Sequence, residues 1–284
     1  MILQVGDVDL NVLDEGSGPP LVLLHGHTLD LRVWDECVGD LLAAGFRVVR
    51  YDQRGHGRSG SPAQGYRWGD HAADLAAVVS SRDAAPAHLV GMSKGGGIAI
   101  ELTLRRPELV ASLSLVGAMV PDFQLSDELM ASFRELARGI RREGVARAVE
   151  ALWLTHPLVA SAAALPAARA RLEAMLRTFP AGEYLAVVRD DPERSWNVPD
   201  RLGEIRVPTL VVRGEWEIAD FVAMSAAVAE RVPGARRVTV ASSGHIVALE
   251  QPRALTRELL GFLAACGEGG AVTARPASWQ DLAP

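Results

Sequence analysis

The segment Gly91-Met92-Ser93-Lys94-Gly95 places a serine between two glycines, each two residues away. An apolar run, Ala87-His88-Leu89-Val90, enters it, and a helix-like run, Gly96-Gly97-Ile98-Ala99-Ile100-Glu101-Leu102, leaves it. A serine on so sharp a strand-to-helix turn is held in strained backbone geometry, with its hydroxyl exposed at the top of a sheet. Small neighbours are required there, and the backbone N–H of the next residue, Lys94, can face a developing oxyanion. A serine hydroxyl is a poor nucleophile until a base takes its proton, and that base needs a third group to orient it. The chain holds seven histidines. Imidazole titrates near neutral pH, as such a base must.

These groups need a scaffold, and the hydrophobic pattern supplies one. Residues 1–16 alternate around Gly6-Asp7 as an edge hairpin would, and Leu21-Val22-Leu23-Leu24 reads as a buried strand. The turn His25-Gly26-His27-Thr28 follows it. Helical spacing over 33–44 puts Trp34, Val38, Leu41 and Leu42 on one face, and 46–51 is the next strand. A turn-rich loop, Asp52 to Ser59, precedes a helix over 69–82; Asp52, Arg54 and Arg58 are expected to knit that loop internally. Strand 87–90, helix 96–106 (stopped by Pro107) and strand 109–116 complete the first half.

This alternation predicts an α/β fold with a mostly parallel central sheet and helices on both faces. From Ser126 to about 190 the chain is rich in Ala, Arg, Leu and Glu with no strand-like run. That pattern predicts an insertion of three to five helices, punctuated by Pro157, Pro166 and Pro180. The sheet pattern resumes at Val207–Val212, followed by helix 219–231, strand 235–240 and helix 251–265. The expected division is therefore a core over 1–119 and 201–267, a helical insertion over 120–200, and a Gly-, Ala- and Pro-rich disordered tail over 268–284.

With 284 residues, a net charge of -6 and 49% hydrophobic residues, one globular domain with an insertion is expected. No basic stripe or Lys/Arg cluster is present, which argues against a nucleic-acid partner. The two cysteines, Cys37 and Cys266, are far apart, in no metal-ligand spacing, and are expected as free thiols of a reducing compartment. The N-terminus shows no secretory signal, and no apolar run approaches the ~20 residues that span a bilayer. A cytoplasmic protein without a membrane partner is the expectation, and nothing specifies an oligomeric state.

His25-Gly26 after the first apolar strand, the loop Asp52-Gln53-Arg54-Gly55-His56-Gly57-Arg58-Ser59, the serine turn, and Ser243-Gly244-His245 occur in an order and spacing that resembles the α/β-hydrolase fold family. The resemblance spans roughly 1–118 and 200–265 and implies a serine hydrolase with a helical cap, similar to esterases and enol-lactonases. It implies Ser93 as nucleophile and His245 as general base, since His245 is the one histidine in the last loop after the serine. The acid departs from the usual pattern: where relatives carry aspartate after the strand ending at Gly214, this chain has Glu217. Glutamate can orient an imidazole as aspartate does. Asp220 and Asp122 remain alternative acids. The resemblance places the second oxyanion donor at the N–H of His27, beside that of Lys94.

A charged Lys94 after the nucleophile is unusual for the family. It can meet a substrate carboxylate, pair with a cap glutamate, reach solvent, or pair with Asp52 or Glu101. The cap is expected to close an apolar pocket over the serine, with Met119, Phe123, Phe133, Trp153, Leu154 and Met175 as lining candidates, joined by Trp216 and Ile246 of the core. No metal or organic cofactor is implied, and the partner is a small-molecule substrate: an ester, lactone or thioester passing through an acyl-enzyme. Alternatives that keep the fold are a triad-dependent acyltransferase or cyclase, a C–C hydrolase or lyase, and a ligand-binding relative that hardly turns over.

Overall fold

The structure is a computed structural model and describes residues 1–186 and 196–267. The tail predicted over 268–284 and part of the predicted insertion lie outside the described residues. Eight strands form one sheet: β1 (Ile2–Val5), β2 (Val8–Glu15), β3 (Pro20–Leu24), β4 (Arg47–Tyr51), β5 (Ala87–Met92), β6 (Val110–Val116), β7 (Thr209–Gly214) and β8 (Arg236–Val240). Their order is β1-β2-β4-β3-β5-β6-β7-β8. The hairpin strand β2 pairs antiparallel with β4, and every pairing from β4 to β8 is parallel. The sheet centre is apolar on both faces: Leu21–Leu24, Leu89, Val90 and Leu113–Val116 contain almost no exposed residue, as a strand covered on both sides requires.

Helices α1 (Asp35–Ala43), α2 (Trp68–Ser81) and α3 (Lys94–Arg105) link the first strands. Between β6 and β7 the chain leaves the sheet and makes α4 (Asp127–Glu143), α5 (Val145–Ala148), α6 (Pro157–Ala164), α7 (Pro166–Leu176), α8 (Gly182–Leu185) and α9 (Val198–Arg201). Pro157 and Pro166 sit at the first position of their helices, where the missing N–H has no partner to lose. Ser126 caps α4 by accepting the Leu129 N–H at 3.2 Å. Helices α10 (Ala219–Arg231), α11 (Val247–Glu250) and α12 (Pro252–Gly267) complete the second half. Among the described residues no helix is long and apolar enough to cross a membrane.

Two differences from the expected elements bear on function. Helix α3 begins at Lys94, not at 96, so the residue after the serine is already helical. Strand β5 runs through Met92, so the serine follows the strand with no intervening loop. Arg54, expected among Asp52 and Arg58, instead makes a two-pronged buried pair with Asp74, at 2.7 Å for each bond. Asp52 accepts from Asn11 Nδ2, the Leu31 N–H and the Arg58 N–H, anchoring the loop below the site.

Candidate active site

Ser93 occupies the junction of β5 and α3 with φ 52° and ψ −119°, a conformation an L-residue adopts only when its surroundings impose it. Those surroundings are explicit. The Ser93 N–H donates to Val116 O at 3.0 Å, and its carbonyl accepts from the N–H groups of Gly96 (3.0 Å) and Met119 (2.9 Å). A Cβ on Gly91 would stand 2.5 Å from Gly95 O, and one on Gly95 would stand 2.5 Å from His25 O. Both glycines are therefore dictated by close backbone approach, and the turn is clamped between β3 and β6.

His245 follows β8 in the loop before α11. Its Nδ1 donates to Glu217 Oε2 at 2.8 Å, and both side chains are buried. Glu217 Oε1 accepts the Ile218 N–H at 3.0 Å, so the carboxylate is held at both oxygens. A proton on Nδ1 leaves Nε2 as the ring's acceptor. The Phe221 ring packs edge-on against the imidazole, 4.4 Å between centroids. Glu250, which the sequence reading passed over, accepts the N–H groups of Gly244 (Oε2, 2.7 Å) and Ile246 (Oε1, 3.0 Å), the residues flanking His245. Ser161 of α6 donates its hydroxyl to the same Glu250 carboxylate. An acid five places after the histidine was the available signal.

The alternative acids lie elsewhere. Asp220, in the first turn of α10, accepts the Ser126 N–H (2.6 Å) and hydroxyl (2.8 Å) and so joins α10 to the start of α4. Asp122 is exposed, at φ 61°. Neither reaches His245, because the first is committed to a cap and the second faces out.

Ser93 and His245 line one cavity of about 220 Å³, roofed by the helices between β6 and β7. His27, Lys94, Met119, Phe133, Trp153 and Ile246 line it, together with Trp68 and Phe221. Phe123 does not; it borders a surface depression beside Asp122 and Asn197. Trp216 does not either, being 59% exposed, because the turn that sends Glu217 inward sends its neighbour outward. Leu154 and Met175 pack in the helical layer away from the cavity.

His25 is not a second base. Its Nδ1 donates to Gly26 O at 2.8 Å and its Nε2 accepts the Gln53 N–H at 2.9 Å, which holds the loop carrying His27. His27 Nε2 and the Tyr184 hydroxyl are hydrogen-bonded at 2.6 Å. Burial, partly offset by the nearby Glu183 charge, pushes the His27 imidazole down to about 4, so it is neutral at physiological pH. Lys94 pairs through Nζ with Glu183 of α8, and not with Asp52 or Glu101, which are held by the loop and by Arg105. Burial raises the Glu183 carboxyl, but the Lys94 charge and its hydrogen bond outweigh it and leave the group below its ordinary value.

Comparison with known proteins agrees with this architecture. Residues 19–252 match the family model described as alpha/beta hydrolase fold. A protein of Azorhizobium caulinodans named as a putative carbamate hydrolase is 30% identical over 267 residues, covering 93% of this chain and 97% of that one. The structure of Est816, described as an N-acyl homoserine lactone degrading enzyme, superposes with a TM-score of 0.72 at 28% identity, over 92% of this chain and 100% of that one. A thermophilic esterase from Thermogutta terrifontis gives 0.75 at 25% identity, over 91% and 94%. With the model matched across most of its length and the strand order to go with it, this chain belongs to the α/β-hydrolase fold family.

Proposed function

We propose that the protein is a serine hydrolase cleaving a small ester or lactone through an acyl-enzyme on Ser93. The observation that carries this reading is the pairing of two features on one cavity wall: a serine at φ 52° and a histidine whose Nδ1 is held 2.8 Å from a buried carboxylate.

His245 Nε2 takes the Ser93 proton as Oγ attacks the substrate carbonyl. Glu217 holds the imidazole in the required tautomer and stabilises the imidazolium that forms. The N–H of Lys94 opens α3, where helical amides have no intrahelical partner, and with the His27 N–H it faces the tetrahedral oxyanion. Collapse expels the alcohol, which takes the proton from His245. Water then repeats the sequence on the acyl-enzyme, releasing the acid and regenerating Ser93. The apolar lining excludes bulk water and strengthens each of these interactions.

The relatives support the same class by name, as a putative carbamate hydrolase, a lactone-degrading enzyme and an esterase. Intact-mass measurement after treatment with a fluorophosphonate tests the reading. One adduct on the wild type, absent in Ser93→Ala, is expected. A folded wild type that takes no adduct, or one that survives Ser93→Ala, refutes Ser93 as the activated nucleophile.

A further inference from the structure

Among the described residues that line the cavity, Lys94 is the one lysine or arginine and Glu183 the one carboxylate, and they are paired with each other. The Lys94 side chain is 6% exposed. His27 Nδ1 stands 3.9 Å from the same Glu183 oxygen. Apart from His27, Ser93, Tyr184 and His245, the rest of the lining is apolar.

We propose that Glu183 sets the charge class of the substrate: by neutralising Lys94 inside the cavity, it reserves the site for uncharged, apolar groups and excludes carboxylate-bearing ones. The inference rests on the hydrolase reading and concerns its substrate. A substrate carboxylate entering this cavity meets an occupied cation, a carboxylate of like charge beside it, and a lining that cannot replace its hydration.

Glu183 is seated, not loosely tethered. A Cβ on its neighbour Gly182 would lie 2.5 Å from the Tyr66 hydroxyl and 2.8 Å from Gly55 Cα, so α8 rests directly on the loop below. The next residue, Tyr184, is tied twice: its hydroxyl to His27 at 2.6 Å, and its carbonyl to Arg141 Nε at 2.9 Å. The opposite behaviour is also defined by the structure. Glu183 borders a polar depression lined by Arg54, Tyr66 and Asp70, and a carboxylate that swung out there would release Lys94 to bind a substrate anion.

Two esters of one leaving group separate these outcomes: 4-nitrophenyl butyrate and the mono-4-nitrophenyl ester of glutaric acid. The wild type is expected to prefer butyrate in kcat/KM. Glu183→Gln, which leaves the Lys94 charge unpaired, is expected to swing the ratio toward the glutarate ester by roughly ten- to hundredfold. An unchanged ratio in Glu183→Gln, or a wild type that prefers the glutarate ester, overturns the proposal. The double variant Lys94→Met/Glu183→Gln strands no charge and must keep the wild-type order of preference; a swing toward the anion there also overturns it. Should Glu183→Gln fail to fold, Glu183→Ser, which also leaves Lys94 unpaired, is read in its place against the same two overturning outcomes. Calorimetric binding of dimethyl and monomethyl glutarate to the Ser93→Ala forms reads the same selectivity without turnover. Selective binding with no hydrolysis by the wild type counts against the hydrolase reading alone, whereas hydrolysis with an unmoved ratio counts against Glu183.

Discussion

Glu217 Oε2 lies 2.8 Å from His245 Nδ1, and the glutamate stands where the family resemblance of the sequence leads one to expect aspartate. The extra methylene is accommodated because Glu217 Oε1 is tied back to the Ile218 N–H at 3.0 Å. Glu217→Gln keeps the volume but removes the charge that fixes the tautomer. It is expected to lower kcat by about a hundred- to ten-thousandfold with little change in KM. Asp220→Asn and Asp122→Asn should leave kcat near wild type. Steady-state kinetics on one activated ester checks all three, and an Asp220→Asn enzyme as impaired as Glu217→Gln would remove Glu217 from the role.

Gly117 makes that pair possible from the β6 side. Its φ is +49°, and a Cβ there would stand 2.9 Å from Glu217 Oε2 and 3.2 Å from His245 Nδ1. Gly117→Ala therefore combines backbone strain with a steric push on the acid–base pair. We expect a loss of about 1–3 kcal/mol in unfolding free energy and a fall in kcat larger than the stability loss alone explains. Urea titration beside kinetics measures both. A stable, fully active Gly117→Ala protein would show that the pair tolerates displacement.

Glu250 acts on His245 through backbone. Its two oxygens hold the N–H groups on either side of His245. Glu250→Ala strands both amides in a buried loop, at a cost of about 1–3 kcal/mol each at most. The expected result is reduced stability and a lower kcat at similar KM. Glu250→Gln keeps one acceptor oxygen and should fall between wild type and alanine. Equal effects of alanine and glutamine would point to the charge, not the hydrogen bonds.

The parts of this site that local pattern encodes are legible in the sequence. The serine turn is legible because Gly91 and Gly95 are demanded by contacts within a few residues and one neighbouring strand. Glu217 is legible because it follows a recognisable strand end at Gly214. Glu183 was present only as an unnamed cap glutamate, since Lys94 lies 89 residues away and a four-residue helix has no periodicity to read. Phe123 and Trp216 were misplaced for a related reason: composition marks an aromatic as buried, but the direction of a turn decides it. Phe221, the ring that packs on His245, is one of the apolar positions of α10 and nothing in that helix distinguishes it.

Acid should destabilise the fold, with His27 one identifiable contributor. Its folded value of about 4 lies below the ordinary 6.5, chiefly because burial disfavours the imidazolium. Between those values the unfolded chain binds more protons than the folded one, so stability rises with pH across that window and falls as pH drops from about 6.5 toward 4. Burial pushes His25, His56 and His71 in the same direction. Denaturant titrations at pH 7, 5.5 and 4.5 should show the slope, and His27→Gln should reduce it by up to about 1.4 kcal/mol per pH unit. An identical slope in His27→Gln would mean that His27 titrates normally.

The strain at Ser93 predicts an opposition between stability and activity at one residue. With φ 52° and ψ −119°, the backbone there costs about 1–3 kcal/mol for any residue with a Cβ, and the hydrogen bonds to Val116, Gly96 and Met119 hold it in place. Ser93→Gly removes the Cβ and with it much of the strain, so the folded state should gain about 1 kcal/mol, less the greater chain entropy that glycine brings to the unfolded state. Ser93→Ala removes the hydroxyl but keeps the Cβ, so it should abolish turnover with no comparable gain. Both variants lose the Ser93 hydroxyl; only one relieves the backbone. Comparing their unfolding midpoints at constant m-value separates the two effects. A glycine variant no more stable than the alanine variant would show that the turn is relaxed, and that the presentation of Ser93 to the cavity comes from the close packing of Gly91 and Gly95 alone.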